Sequence, residues 1–252
     1  MDKELQPPPA RRRGHRGADV RRIQEWLCLN GWSVRVDGAF GPATETAVRG
    51  FQAGAGLPVS GVADPRTFAA LAAPMAGALR PVEPAGRSFR ALVAAVAEQH
   101  LAARPREAGG RNRGPWVRLY TRGRQGDRWP WCAAFVSCLI RQAAAGLAVT
   151  APLGYTCSCD VMAAGASAAG LLVPGARIAD RAAIPAGSVF LTRRAPGDWA
   201  HAGVVTAAAA DWFESIEGNT NDSGSRDGDA VLRRFRGYRR QDFIVFPAGA
   251  DG

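Results

Sequence analysis

Cys132 stands in the run Trp131-Cys132-Ala133-Ala134-Phe135-Val136, and far downstream lie His201 and the cluster Glu217-Gly218-Asn219. A cysteine, a histidine and an acid or amide are the parts of a thiol nucleophile with its base and its orienting group. The thiol attacks only as thiolate, and a helix N-terminus and a neighbouring imidazole both lower its pKa. Pro130 disfavours helical geometry at Trp129, so a helix starts no earlier than Pro130. Phe135, Val136 and Leu139 follow Cys132 at i+3, i+4 and i+7, the spacing of a buried stripe. This spacing sets the thiol at the positive end of a helix packed into a core. Taken alone, a free cysteine is more often a small core residue, and a catalytic one needs partners.

Those partners fall on strands. His201, Gly203 and Val205 share one face of a period-two run, and Ser215, Glu217 and Asn219 share a face of a later one. If the two strands are neighbours, Glu217 or Asn219 reaches the imidazole, and the opposite ring nitrogen points at the helix that carries Cys132. His201 by itself reads as an ordinary strand histidine, and Glu217-Gly218-Asn219 as a turn. The order of helix cysteine, strand histidine and strand acid or amide favours the catalytic reading.

The elements that must hold these residues follow from pattern. Helical periodicity runs through Phe89, Leu92, Val93, Val96 and Leu101, again over 132–145, and through the alanine-rich segment 160–172. His100 on the first of these reads as a packed or solvated residue. Beyond Pro185 come short strand-like runs at Ser188–Thr192, His201–Thr206, Trp212–Ile216 and Phe243–Phe246. Helices followed by strands give an α+β domain over 88–252, its helices packed on an antiparallel sheet.

The first third is different. Residues 36–48 and 59–71 both read V-x-G-x-x-x-P-x-T-x-x-A-(V/L), a glycine turn followed by proline at the first helical position. A helix begins near Asp19 with Val20, Ile23 and Leu27 on one face and ends at Asn30-Gly31; two more helices bury Val48 and Phe51, then Phe68 and Leu71. The result is a small all-α three-helix domain at 14–73, after a basic, proline-rich tail at 1–13. An alanine-, proline- and glycine-rich linker follows at 74–87.

Composition sets limits. The 252 residues, 47% hydrophobic, suffice for one large core or two smaller ones. The net charge of +10 is nearly all arginine, with Lys3 the single lysine, and favours attraction to polyanions. The basic clusters, 11–13, 21–22, 233–234, 236 and 239–240, lack interleaved aromatics or a DNA-reading motif, which excludes specific nucleic-acid recognition. Five cysteines are an odd number, and no apolar signal opens the chain, which argues against a disulfide framework. Cys157-Ser158-Cys159 has no second cysteine pair, and with three histidines in the chain no metal or other cofactor is expected. No apolar run is long enough to cross a bilayer.

Residues 14–71 resemble the three-helix peptidoglycan-binding domain of bacterial wall hydrolases, through D-V-R-x-I-Q-x-W-L at 19–27, V-D-G-x-F-G-P-x-T-x-x-A-V at 36–48, F-Q at 51–52 and G-L-P-V-x-G at 56–61. The resemblance implies binding to peptidoglycan, with Asp37, Gly38 and Phe40 near the groove, although Gly38, Gly41 and Pro42 equally serve to build the turn. Residues 88–248 resemble the CHAP family of cysteine amidohydrolases and peptidases, relatives of the NlpC/P60 enzymes. The matching motifs are W-C-A-x-F-V-S at 131–137, Pro185-Ala186-Gly187-Ser188 with His201-Ala202-Gly203-Val204-Val205, and Ser215-Ile216-Glu217-Gly218-Asn219-Thr220. This resemblance implies a papain-like domain that cuts an amide bond of peptidoglycan, either N-acetylmuramoyl-L-alanine or one within the stem peptide or cross-bridge. Cys132 is then the nucleophile, His201 the base and later the acid, Glu217 the orienter, and Asn219 a helper to it or to the carbonyl. Trp131 and Trp199 are the candidate substrate contacts of this domain.

Two departures stand out. Cys138 replaces the tryptophan of many relatives, and the loop before the cysteine holds only Asp127 among arginines, which excludes the calcium some relatives bind there. A monomer is expected, without a Sec signal, acting on the wall after release by a holin, a secretion machine or lysis. The competing reading is a non-catalytic peptidoglycan-binding protein with an inactive papain-like domain.

Overall fold

Two buried glutamines account for the repeated turn of the first third. In helix α1 (Ala18–Leu29), Gln24 Nε2 faces the Asp37 carboxylate at 3.0 Å, the Ala39 carbonyl at 3.0 Å and Thr44 Oγ1 at 3.2 Å, while its Oε1 accepts from Gly38 N at 2.7 Å. In helix α2 (Pro42–Gly54), Gln52 repeats the pattern with Ser60 Oγ, the Val62 carbonyl, Thr67 Oγ1 and the Gly61 N–H. Gly38 and Gly61 hold φ at +77° and +74°, where glycine pays no steric penalty, and this turns each N–H toward its glutamine. Helix α3 (Pro65–Leu71) is capped by Asp64, which accepts from Thr67 N at 2.8 Å. Val20, Ile23, Leu27, Val48, Phe68 and Leu71 form the core among these helices.

The computed structural model describes residues 3–221 and 228–247. The chain divides into two compact units, Met1–Gly77 with Arg106–Arg128, and Ala78–Pro105 with Trp129–Gly252. Several details of the first unit differ from the sequence reading. Gly17, not Asp19, precedes α1, and Asp19 is instead ion-paired with Arg11. Phe51 is half-buried while its neighbour Gln52 is buried, because α2 turns the amide and not the ring inward. The stretch expected as a linker contains helix α4 (Ala73–Ala78).

Segment 106–128, which sequence motifs group with the C-terminal half, is part of the first unit. Its helix α6 (Pro115–Tyr120) buries Trp116 edge-on to Trp26 at 6.4 Å. Arg118 reaches the Glu4 carboxylate through Nε and one terminal nitrogen at 2.8 Å each, and the Glu25 carboxylate at 2.7 and 3.1 Å. Both carboxylates are buried, and the fork geometry satisfies all three groups.

The second unit is the α+β half. Helix α5 (Phe89–Ala102) packs on α7 (Cys132–Gly146), and α7 lies against a six-stranded antiparallel sheet. The strands are β1 (Leu172–Pro174), β2 (Val189–Ala195), β3 (Asp198–Ala208), β4 (Phe213–Thr220), β5 (Ala230–Arg236) and β6 (Gln241–Ile244), in the order β1-β6-β2-β3-β4-β5. Helix α8 (Cys159–Ala168) packs on β3 and stops before 172, because Gly170 takes φ +69° and closes the last turn onto Ser167. Leu92, Val93, Val96, Phe135, Val136, Leu139 and Ile140 are buried between the helices and the sheet. Each contributes about 1.5–3 kcal/mol of burial free energy. Among the described residues no helix is long and apolar enough to cross a membrane.

Candidate active site

Helix α7 begins at Cys132, and its start is tied to the end of β4: the Trp131 N–H donates to Asn219 Oδ1 at 2.9 Å. Asn219 holds φ +58° and gives its Nδ2 to the Gly228 carbonyl at 2.6 Å. That positive φ breaks the period-two alternation, so Asn219 does not share the Glu217 position over His201. Its amide straps the helix to the sheet, and of the two candidate orienters Glu217 is the one on the imidazole.

Two glycines let these parts close up. A Cβ on Gly218 would come within 2.8 Å of both Phe135 and Trp131, so glycine here lets the first turn of α7 press onto β4. A Cβ on Gly203 would stand 2.8 Å from Glu217 Cγ and 2.6 Å from Phe190 Cε1. The Glu217 side chain therefore passes over the bare backbone of Gly203 on its way to His201. Neither glycine has positive φ; what they supply is space.

The His201 Nε2 and Glu217 Oε2 atoms are 2.8 Å apart. Glu217 accepts further hydrogen bonds from Ser215 Oγ at 2.7 Å and from the Arg236 guanidinium, through Nε and one terminal nitrogen at 2.5 Å each. This fixes the carboxylate as an acceptor and assigns the Nε2 proton to His201. The other ring nitrogen, Nδ1, is buried without a hydrogen-bond partner among the described residues.

Burial works against charge on Glu217, but hydrogen bonds from Arg236 and then His201 hold its pKa down at about 2. Burial also opposes the imidazolium, yet the Cys132 sulfur and then Glu217 lift the His201 pKa to about 9. The Cys132 thiol is lowered well below its ordinary value by hydrogen bonding from Cys159, against its own burial, with His201 and the Ala202 N–H adding to the effect. The Cys132 and Cys159 sulfurs are 3.9 Å apart, and Cys159, first residue of α8, is pushed up as a thiol by Cys132 and by burial. These directions favour a Cys132 thiolate that accepts from the Cys159 thiol and faces the His201 imidazolium.

Trp131 is fully buried against Gly218, so its ring supports α7 and does not present a surface. Trp199 is half-buried, with its N–H on Asp160 at 2.7 Å and its indole nitrogen on Asp242 at 3.0 Å. In the first unit Phe40 is buried in the core, and Gly38 is buried in its turn with its N–H on Gln24. Asp37 is exposed, its carboxylate engaged by the Ala39 N–H and by Gln24. Buried side chains do not form an open binding face, so Phe40 and Trp131 are corrected to packing residues.

Arg236, Ser215 and Cys159 are the site residues that sequence reasoning did not pick out. Arg236 lies in a row of arginines, and only the strand shows that Arg234 and Arg236 alternate with the more exposed Arg233 and Phe235 along β5. Cys159 had no readable signal, because its contact with Cys132 exists only once α8 is folded onto β3. Among the described residues no group of three or more His, Cys, Asp or Glu side chains is placed to hold a metal ion.

The family described as putative peptidoglycan binding domain matches residues 16–71. Among solved structures, the SleB N-terminal domain is 42% identical over 25% of this chain and 89% of that one, with a TM-score of 0.25. A Burkholderia AP3 phage endolysin is 41% identical over 26% of this chain and 25% of its own length, with a TM-score of 0.26. Among curated proteins no match to the chain is found.

Proposed function

We propose that the chain hydrolyses an amide bond of peptidoglycan by cysteine catalysis, with the module at 16–71 holding it to the wall. The match of that module to the putative peptidoglycan-binding family supports the substrate class. One observation carries the chemistry: a buried chain of Arg236, Glu217 and His201 ends at Cys132, the first residue of α7, whose thiolate is favoured. A cysteine that only fills a core stays a neutral thiol.

The Cys132 sulfur attacks the amide carbonyl, and the developing oxyanion takes the Cys132 N–H, which lies in the first turn and has no intrahelical acceptor. His201 then gives its proton to the leaving amine, forming a thioester. It next removes a proton from the water that hydrolyses that thioester. Glu217, itself held by Arg236, orients the imidazole and favours its charged form. The resemblance to CHAP enzymes supports this division of roles.

Mass spectrometry of purified sacculi after digestion tests activity and bond choice together. New amine and carboxyl termini at one amide are expected from the natural protein and not from Cys132→Ala. A Cys132→Ala protein that digests sacculi at the natural rate rules the assignment out.

A further inference from the structure

His201 also borders a cleft of about 520 Å³ whose charged lining is otherwise all arginine: Arg193, Arg194, Arg236, Arg239 and Arg240. A volume of that order suits a small ligand or a few residues of a peptide. Three of the five are already neutralised: Arg193 by Asp242 at 2.9 Å, Arg194 by Asp198 at 2.6 Å, and Arg236 by the Glu217 carboxylate. Arg239 and Arg240 are different. Both are exposed, and among the described residues no carboxylate pairs with either.

Their backbone is nevertheless held in place. The Arg240 carbonyl accepts from Arg193 N at 2.8 Å, and the next residue, Gln241, pairs with Thr192 in the sheet and accepts from its hydroxyl at 2.9 Å. Arg240 itself sits at φ +61°, a conformation that costs a non-glycine residue about 1 kcal/mol or more. The surrounding register thus fixes the backbone at Arg240, and both unneutralised arginines line the open cleft that His201 shares. An isolated, solvated arginine needs no such support.

We propose that Arg239 and Arg240 form a subsite for a free carboxylate of the substrate peptide, beside the amide that reaches Cys132. This rests on the amide-hydrolase reading above. The planar guanidinium fork matches a carboxylate with two parallel hydrogen bonds. Stem peptides carry carboxylates close to their amide bonds, and amidation of those carboxylates removes the charge while keeping the shape. The cleft therefore selects the free-acid form of the stem peptide over its amidated form. A long phosphate polymer would call for an extended basic stripe, and the cationic groups here converge on one cavity.

The test uses the full-length protein and a variant carrying both Arg239→Gln and Arg240→Gln, with two soluble muropeptides that differ only in a free or amidated carboxyl group. Natural protein is expected to show a KM about tenfold lower for the free acid, the scale of one charge-assisted contact. The double variant should lose that preference by a rise in KM for the free acid. Unchanged circular dichroism and Tm would exclude misfolding, since both side chains are exposed. A natural protein without preference, or a variant that keeps it, overturns the subsite while leaving the hydrolase reading intact. If neither muropeptide is cleaved, the hydrolase reading fails by itself, and calorimetric binding of the same pair decides the subsite by the same criterion. Tighter binding of a short DNA duplex than of either muropeptide, lost in the double variant, overturns it as well, because the arginines then serve phosphates.

Discussion

In the proposed mechanism the His201 imidazolium, paired with Glu217 and next to the Cys132 thiolate, sets the alkaline limit of activity. A thiolate at neutral pH reacts with iodoacetamide, so Cys132 should be the fastest-labelled of the five cysteines. His201→Ala should slow that labelling by about a hundredfold, because the thiolate loses its counter-charge. His201 is raised from 6.5 to about 9, so the imidazolium persists through neutral pH and is lost as pH rises through 9. Hydrolysis should therefore fall along an alkaline limb centred near 9, read from kcat/KM against pH. Arg236→Met tests the next link. Without the guanidinium, the Glu217 carboxyl rises from about 2 but stays ionised near pH 9, and the imidazolium loses a neighbouring cation and keeps the carboxylate to itself, so the alkaline limb should move to higher pH. A limb that stays in place would make Arg236 a packing residue only. The cysteine, histidine and glutamate were legible from periodicity because each lies on the inner face of its own element. Arg236 was hidden within a row of arginines whose composition speaks of solvent, and Cys159 meets Cys132 only through tertiary packing.

At the scale of elements, the close approach of α7, β3 and β4 depends on what Gly203 and Gly218 lack. Adding a methyl group at 203 drives it into Glu217 Cγ and the Phe190 ring, both inside normal contact distance. Gly203→Ala should cost about 1–3 kcal/mol of stability, the range for overpacking. It should also slow alkylation of Cys132, because Glu217 is displaced from His201. Thermal unfolding and labelling kinetics measured on one preparation separate the two effects, and an unchanged labelling rate would show that Glu217 reaches His201 by another path. The sequence motifs around these glycines were visible, and so was the paired turn of the first third. The reason for that turn was not, since Gln24 and Gln52 lie on the preceding helices and polar residues there ordinarily face water. Strands β1 and β5 were missed for local reasons: β1 is three residues long, and the charge of β5 masks its alternation.

At the scale of the molecule, one helix interior limits acid stability and one sequence-distant contact limits how the chain can be cut. His100 on α5 is buried, within 3.0 Å of Gln142 Oε1 through Nε2, and burial lowers its pKa to about 4. Below pH 6.5 the unfolded chain takes up a proton that the folded one refuses, so stability falls as pH drops from 6.5 toward 4. The loss should total about 3 kcal/mol, and urea midpoints at pH 7 and pH 4.5 will show it.

The second limit concerns the first unit, which is discontinuous in sequence: Arg118 lies 114 and 93 residues from its partners Glu4 and Glu25. No local pattern could reveal that pairing, and the motif resemblance over 88–248 grouped the segment 106–128 with the C-terminal half. Arg118→Ala leaves the buried Glu25 carboxylate without its cation and Glu4 with Arg22 at 3.8 Å, and should cost about 3–5 kcal/mol. Deleting residues 1–77 does more, because it also strips the partners that bury Trp116, Val117 and Tyr120. The truncated chain is therefore expected to aggregate through the segment 106–128, although every catalytic candidate is still present. Loss of sacculus binding on such a deletion would not by itself identify the wall-binding residues. A truncated chain that stays monomeric, with an unchanged unfolding midpoint for the remainder, would show that the segment 106–128 does not need the N-terminal helices.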